Sequence, residues 1–101
     1  MDVTIETNLT FYCTTSLPTT GAAADADSAP TYRIYEEETG TPVATGTMAL
    51  LDASNTDGFY SEQVAVGTPT YTVDKFYCVR IAGTVGSIAA HGAQSFRVVA
   101  A

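Results

Sequence analysis

Large apolar residues alternate with polar ones along most of this chain, at the period of half-buried strands. Over Asp2–Cys13, Val3, Ile5, Leu9, Phe11 and Cys13 share one face, and Asp2, Glu6, Asn8, Thr10 and Tyr12 share the other. Thr7 interrupts the apolar face, which predicts a first strand bent near Thr7-Asn8 and closed by Pro18. From Thr31 the alternation resumes, with Tyr32 and Ile34 opposite Arg33 and Tyr35. Glu38-Thr39-Gly40-Thr41-Pro42 predicts a hairpin turn with Gly40 as its left-handed residue, and a second strand from about Val43. A turn-rich break, Asp52–Gly58, precedes a strand announced by Phe59-Tyr60, so the stretch reads as a β-meander. In that last strand Tyr60, Val64 and Val66 share a face with Glu62. A carboxylate on an apolar face needs a bulge to turn it out or an arginine to meet it, and the bulge is the favoured expectation.

Tyr71–Val85 holds the strongest strand, with Tyr77, Val79 and Ile81 alternating against Phe76, Cys78 and Arg80. Thr84-Val85-Gly86-Ser87-Ile88 predicts a two-residue hairpin of type II′, because glycine stands at the first turn position. The final strand passes Ala89-Ala90, breaks at His91-Gly92 and ends with Phe96 and Val98 inward. The expected core is Ile5, Leu9, Phe11, Tyr32, Ile34, Val43, Leu50, Tyr60, Val64, Tyr77, Val79, Ile81, Phe96 and Val98. Between the first two strands, residues 19–30 (TTGAAADADSAP) are small and low in complexity, with nothing to pack a core. They predict a long exposed loop, read equally as a partner-contacting arm or as a plain connector.

Composition narrows this to one all-β domain over residues 1–101. The chain has 101 residues, 46% of them hydrophobic and 15% charged, and shows no helical pattern. Its formal charge of −7, with Arg33, Lys75, Arg80 and Arg97 the fixed cations, would repel polyanions. Nucleic acid and acidic membrane surfaces are therefore poor partners. The N-terminus has neither a basic nor an apolar signal region, and the aliphatic run Met48–Leu51 is too short to span a bilayer. These features lead us to expect synthesis and assembly in the cytoplasm. Cys13 and Cys78 fall on opposite strand faces, which predicts two free thiols.

Candidate chemistry is sparse. Glu36, Glu37 and Glu38 form the densest charge, but they fit a solvated hairpin tip better than a catalytic pair held across a cleft. Glu37 shares a strand face with Arg33 and could form a surface ion pair with it. Asp25, Asp27 and Ser28, and likewise Asp52, Asn55 and Asp57, read as turn chemistry before cation ligands. His91 is the one histidine, and no serine or cysteine is marked as a nucleophile beside it. The expectation is a protein that is not an enzyme and has no cofactor or metal. Tyr12, Tyr35 and Phe76 have outward parity and are candidate docking anchors. With Asp25 and Asp27 of the loop, they make up the candidate partner-binding set.

TYRIYEEETGTP, then TGTMALLD and GFYSEQ, resembles a family of small tailed-bacteriophage proteins with an immunoglobulin-like β-sandwich domain. With Asp25–Ser28 before these motifs and Tyr77 and Thr84-Val85-Gly86 after them, the likeness covers about three quarters of the chain. It implies a single immunoglobulin-like antiparallel β-sandwich of about seven strands. Tyr77, two residues before inward Val79, fits the tyrosine corner of such domains. Val79 stands where an antibody domain has its second cysteine, so packing must replace the inter-sheet disulfide. The implied role is a non-enzymatic structural protein of a virion, above all an accessory protein decorating the capsid surface. Its implied partners are phage structural proteins, chiefly the major capsid protein, with a homo-oligomer on the particle also open. A neck, tail or baseplate component and a glycan- or host-surface-binding module are the alternatives.

Overall fold

A computed structural model describes residues Met1–Ala101, all in strands, turns and loops. Eight strands follow in order: β1 (Asp2–Thr4), β2 (Thr7–Thr14), β3 (Thr31–Glu36), β4 (Pro42–Thr47), β5 (Ala49–Leu50), β6 (Phe59–Val66), β7 (Phe76–Val85) and β8 (Ile88–Val99). They form a five-stranded sheet, β1-β8-β7-β3-β4, and a three-stranded sheet, β2-β6-β5. The inward faces meet in one core, so the chain is an all-β sandwich of the immunoglobulin-like kind.

The predicted bend in the first strand is a change of sheet. Asp2–Thr4 pairs with Arg97–Val99 of β8, and Thr7 onward pairs with β6. Glu6 makes the switch at φ 64°, and its carboxylate accepts from the Thr68 amide (3.1 Å) and hydroxyl (2.9 Å). Those bonds hold the Glu6 carboxyl below its ordinary pKa. The β1–β8 pair is parallel, which corrects the expectation of a wholly antiparallel fold. No hairpin constrains these two segments, because almost the whole chain lies between them.

The meander is also corrected. β3 and β4 pair as expected, but the chain then crosses to the other sheet and β6 pairs with β2 and β5. Met48, 2% exposed, drives this crossing from the core, and its amide donates to the Pro30 carbonyl. At the β3–β4 turn the left-handed residue is Glu38 (φ 61°), not Gly40. Gly86 (φ 56°) and Ser87 (φ 66°) are both left-handed, so the β7–β8 turn has type I′ geometry where type II′ was expected. β8 runs through His91-Gly92 without a break, in register with β7 from Arg97 to Ile88.

Most of the expected core is inward. Leu9, Phe11, Tyr32, Ile34, Tyr60, Tyr77, Val79, Phe96 and Val98 are buried, while Ile5, Val43, Val64 and Ile81 are half-buried against them. Leu50 is 38% exposed and is removed from the core, because β5 lasts only two residues at a sheet edge. Val3, Val66, Tyr71 and Val85 join it, as does Pro30 from the loop thought unable to pack. Tyr71, Tyr77 and Phe96 form an aromatic trio, with Tyr77 stacked on Phe96 at 5.5 Å. The Tyr77 hydroxyl accepts from the Thr72 amide at 2.8 Å, which is the tyrosine corner.

No bulge turns Glu62 outward, since the β2–β6 register is unbroken across it. The carboxylate stays on the inner side beside the Tyr32 hydroxyl. Burial, then this carboxylate, push the Tyr32 phenol up to about 12. A tyrosine whose folded pKa is raised favours the fold below its unfolded pKa of about 10. That contribution is lost as pH rises through about 12. Alkaline unfolding followed by circular dichroism should therefore show stability falling between these two values. Tyr32→Phe should flatten the fall, and an unchanged slope would show that another group carries it.

Candidate functional site

Two outward sheet faces carry the candidate residues. In the five-stranded sheet Arg33 lies opposite Arg80, and Tyr35 lies opposite Cys78. Alternation puts Phe76, and His91 on β8, on the same outward face. Phe76 is 47% exposed, Tyr35 is half-buried, and both arginines are exposed. Tyr12, 53% exposed, is on the outward face of the three-stranded sheet, stacked on Phe59 at 5.7 Å and 17° between planes. The structure thus brings Tyr35 and Phe76 onto one surface and separates Tyr12 from them. Phe59 is a partner for Tyr12 that sequence reading missed, because it becomes the diagonal neighbour of Tyr12 only through the β2–β6 pairing, in which Ser61 lies opposite Tyr12.

Arg33 and Arg80 are the more informative pair. Like charges directly opposite on neighbouring strands repel. The two ion pairs in the molecule are Lys75–Glu36 (2.6 Å) and Arg97–Asp2 (4.0 Å), so neither Arg33 nor Arg80 is neutralised by a carboxylate. The expected Arg33–Glu37 pair is not formed: Glu37 lies beyond the end of β3, where its amide donates to the Phe76 carbonyl. Arg80 Nη2 is 3.3 Å from His91 Nδ1. In a chain with eleven acidic residues, two adjacent unneutralised guanidinium groups form a local cationic surface bordered by aromatic rings. Such a surface can hold a carboxylate through charge-assisted hydrogen bonds, with apolar contact beside it.

The loop aspartates have partners within the chain. Asp25 Oδ1 accepts from the Gly58 amide at 2.7 Å. Asp27 accepts from Gly86 through Oδ1 (3.0 Å) and from Ser87 through Oδ2 (2.9 Å), and its own amide donates to the Thr84 carbonyl. The Ala26 amide donates to the Tyr60 hydroxyl at 3.0 Å. Residues 19–30 therefore lie at the surface but are pinned at several points. Asp27→Ala should leave the global fold intact and cost about 1–2 kcal/mol locally, through loss of two charge-assisted bonds. Hydrogen exchange checks this: the Gly86 and Ser87 amides should exchange faster in the variant, and unchanged rates would contradict the clamp.

The second acidic loop is turn chemistry. Asn55 Nδ2 donates to Asp52 Oδ1 at 2.8 Å, and Asp52 takes a left-handed φ of 57°. No group of three or more His, Cys, Asp or Glu side chains is placed to hold a metal ion. Cys13 and Cys78 are both free thiols. Cys13 Sγ lies 3.7 Å from Met48 Sδ, and burial pushes its pKa up, which is the wrong direction for a nucleophile. His91, the one candidate base, is turned to a guanidinium rather than to a hydroxyl or thiol. No protein-family model matches the chain, and neither a curated protein nor a solved structure matches it.

Proposed function

We propose that this protein is a non-enzymatic docking module that attaches to a larger assembly through the outward face of its five-stranded sheet. The observation carrying this reading is the Arg33–Arg80 pair, unneutralised within an acidic chain, with Tyr35 next along the same face and Phe76 farther along it. A partner that presents a carboxylate beside apolar surface would relieve the repulsion between the two guanidinium groups. It would also cover the exposed Phe76 ring.

The assembly we propose is a tailed-phage virion, with the chain as an accessory protein on the outside of the capsid and the major capsid protein as its partner. Support for this comes from the resemblance carried by TYRIYEEETGTP, TGTMALLD and GFYSEQ. The net charge of −7 fits it as well, since an acidic chain is unsuited to the DNA-facing side of a shell. Quantitative mass spectrometry of purified virions tests the placement. A copy number comparable with the shell protein is expected. A count matching a single ring would move the chain to the neck or tail, and its absence would overturn the virion reading. The docking face has its own test: Arg33→Gln with Arg80→Gln should release the chain from the particle without lowering its melting temperature.

A further inference from the structure

An open groove of about 270 Å³ lies along one side of the sandwich, between the end of β2 and the middle of β8. Ile81, Gly83 and Val85 of β7 line it, with Ala90 and Gly92 of β8 and Cys13 of β2. The groove exists because the β7–β8 hairpin projects beyond the smaller sheet. Along β8, the positions on the same side as buried Phe96 and Val98 become exposed from Gln94 to Ile88. The molecule is correspondingly long, 43 × 28 × 19 Å.

Both walls of this groove are unpaired strand edges. β1 covers β8 only at Arg97–Val99, so Ile88–Ser95 has no paired strand on that side, although the Met1 side chain reaches Gln94 (Sδ to Nε2 3.8 Å). The Arg97 amide donates to the Met1 carbonyl and the Val99 carbonyl accepts from the Ile5 amide, so odd-numbered residues of β8 face the β1 side. Because the ladder continues without a bulge, the backbone groups of Ala89, His91, Ala93 and Ser95 point along that open edge. β2 is likewise the edge of its sheet. Proteins normally blunt such edges by shortness, proline, bulges or charge. The other edges here are blunted: β1 has three residues, β5 has two, and β4 starts at Pro42 beside a register shift. The two edges facing the groove are eight residues each and carry no proline, bulge, lysine, arginine or carboxylate.

We propose that the β8 edge from Ala89 to Ser95 accepts an extended strand of a partner protein, which adds to the five-stranded sheet in line with β1 and turns alternate apolar side chains into the groove. Unpaired backbone groups select an extended backbone, and the floor of small and aliphatic side chains selects apolar residues at every second position. The chain's net charge of −7 favours cationic residues at the ends of that strand.

The test uses the intact protein and a nine-residue, end-blocked peptide of alternating valine and threonine flanked by lysines. With saturating peptide, exchange at the Ala89, His91, Ala93 and Ser95 amides should slow about tenfold or more. A control peptide with alternate backbone nitrogens methylated should have no effect. Gly92 has no positive φ, and a Cβ there meets nothing within 4 Å. Gly92→Leu should therefore fold normally, fill the groove and abolish the protection. Absence of slowing at millimolar peptide would overturn the proposal. So would protection of Asn8, Thr10, Tyr12 and Thr14 in place of the β8 amides. Concentration-dependent protection of the β8 amides without peptide would also overturn it, since the edge would then pair two copies of this chain.

Discussion

Replacing Gly58 with alanine should lower the melting temperature by roughly 10–20 °C, the equivalent of about 3 kcal/mol in a domain of this size. Gly58 holds φ 66°, a conformation that costs an ordinary L-residue about 1–2 kcal/mol. A Cβ there would also collide with the backbone carbonyl oxygens of Thr15 and Ala24, neither of which is a flexible chain end. Moving them would disturb a junction where three segments meet. The Gly58 carbonyl accepts from the Thr15 amide, its own amide donates to Asp25, and the Thr15 carbonyl accepts from the Ala24 amide. Gly40→Ala is the matched control, because that glycine has no positive φ and open space around its Cβ position. If the two variants melted together, the close approach at Gly58 would not matter to stability.

Phe96→Ala should be the most damaging single truncation in the core, costing about 3–5 kcal/mol. Phe96 is 1% exposed, stacks on Tyr77 at 5.5 Å and lies 6.4 Å from Tyr71. It packs against the tyrosine corner, and no disulfide reinforces the core because both cysteines here are free. Against a typical total stability of about 5–15 kcal/mol, the loss removes a large share. Urea denaturation should show a midpoint lower by roughly 2–4 M. Phe96→Leu, which keeps most of the volume, should fall between that variant and the parent. A loss under about 1 kcal/mol for the alanine variant would mean that the trio relaxes around the cavity.

Much of the candidate surface was legible from alternation alone. Arg33, Tyr35, Phe76 and Arg80 were all assigned outward, and all four lie on the outward face. That they form one surface was not legible, because it depends on β7 pairing with β3 rather than on either strand. Glu62 is the converse case. Alternation predicts its inward position, and the cost of a carboxylate among apolar residues argues instead for a bulge. The position is tolerable because the side chain is only half-buried and its carboxylate accepts from the Gln63 amide at 2.9 Å, with the Tyr32 hydroxyl of the opposite sheet beside it. Asp25 and Asp27 read as turn residues and candidate partner contacts of an exposed loop, whereas their partners Gly58, Gly86 and Ser87 lie some 30 to 60 residues away.

The amino-acid pattern by itself determined that the chain is built of strands and which residues of most strands face the core. Both follow from a period of two along the chain. The tertiary structure alone decided that the first strand divides between sheets, that β1 runs parallel to β8, and that the chain crosses over at Met48. It also decided that the β7–β8 hairpin outreaches the smaller sheet and leaves two edges open. The physical reason is that alternation records which side of a strand meets the core, whereas the choice of neighbouring strand is made by closing the whole sandwich. That choice joins backbone groups far apart in the chain, and no local pattern encodes it.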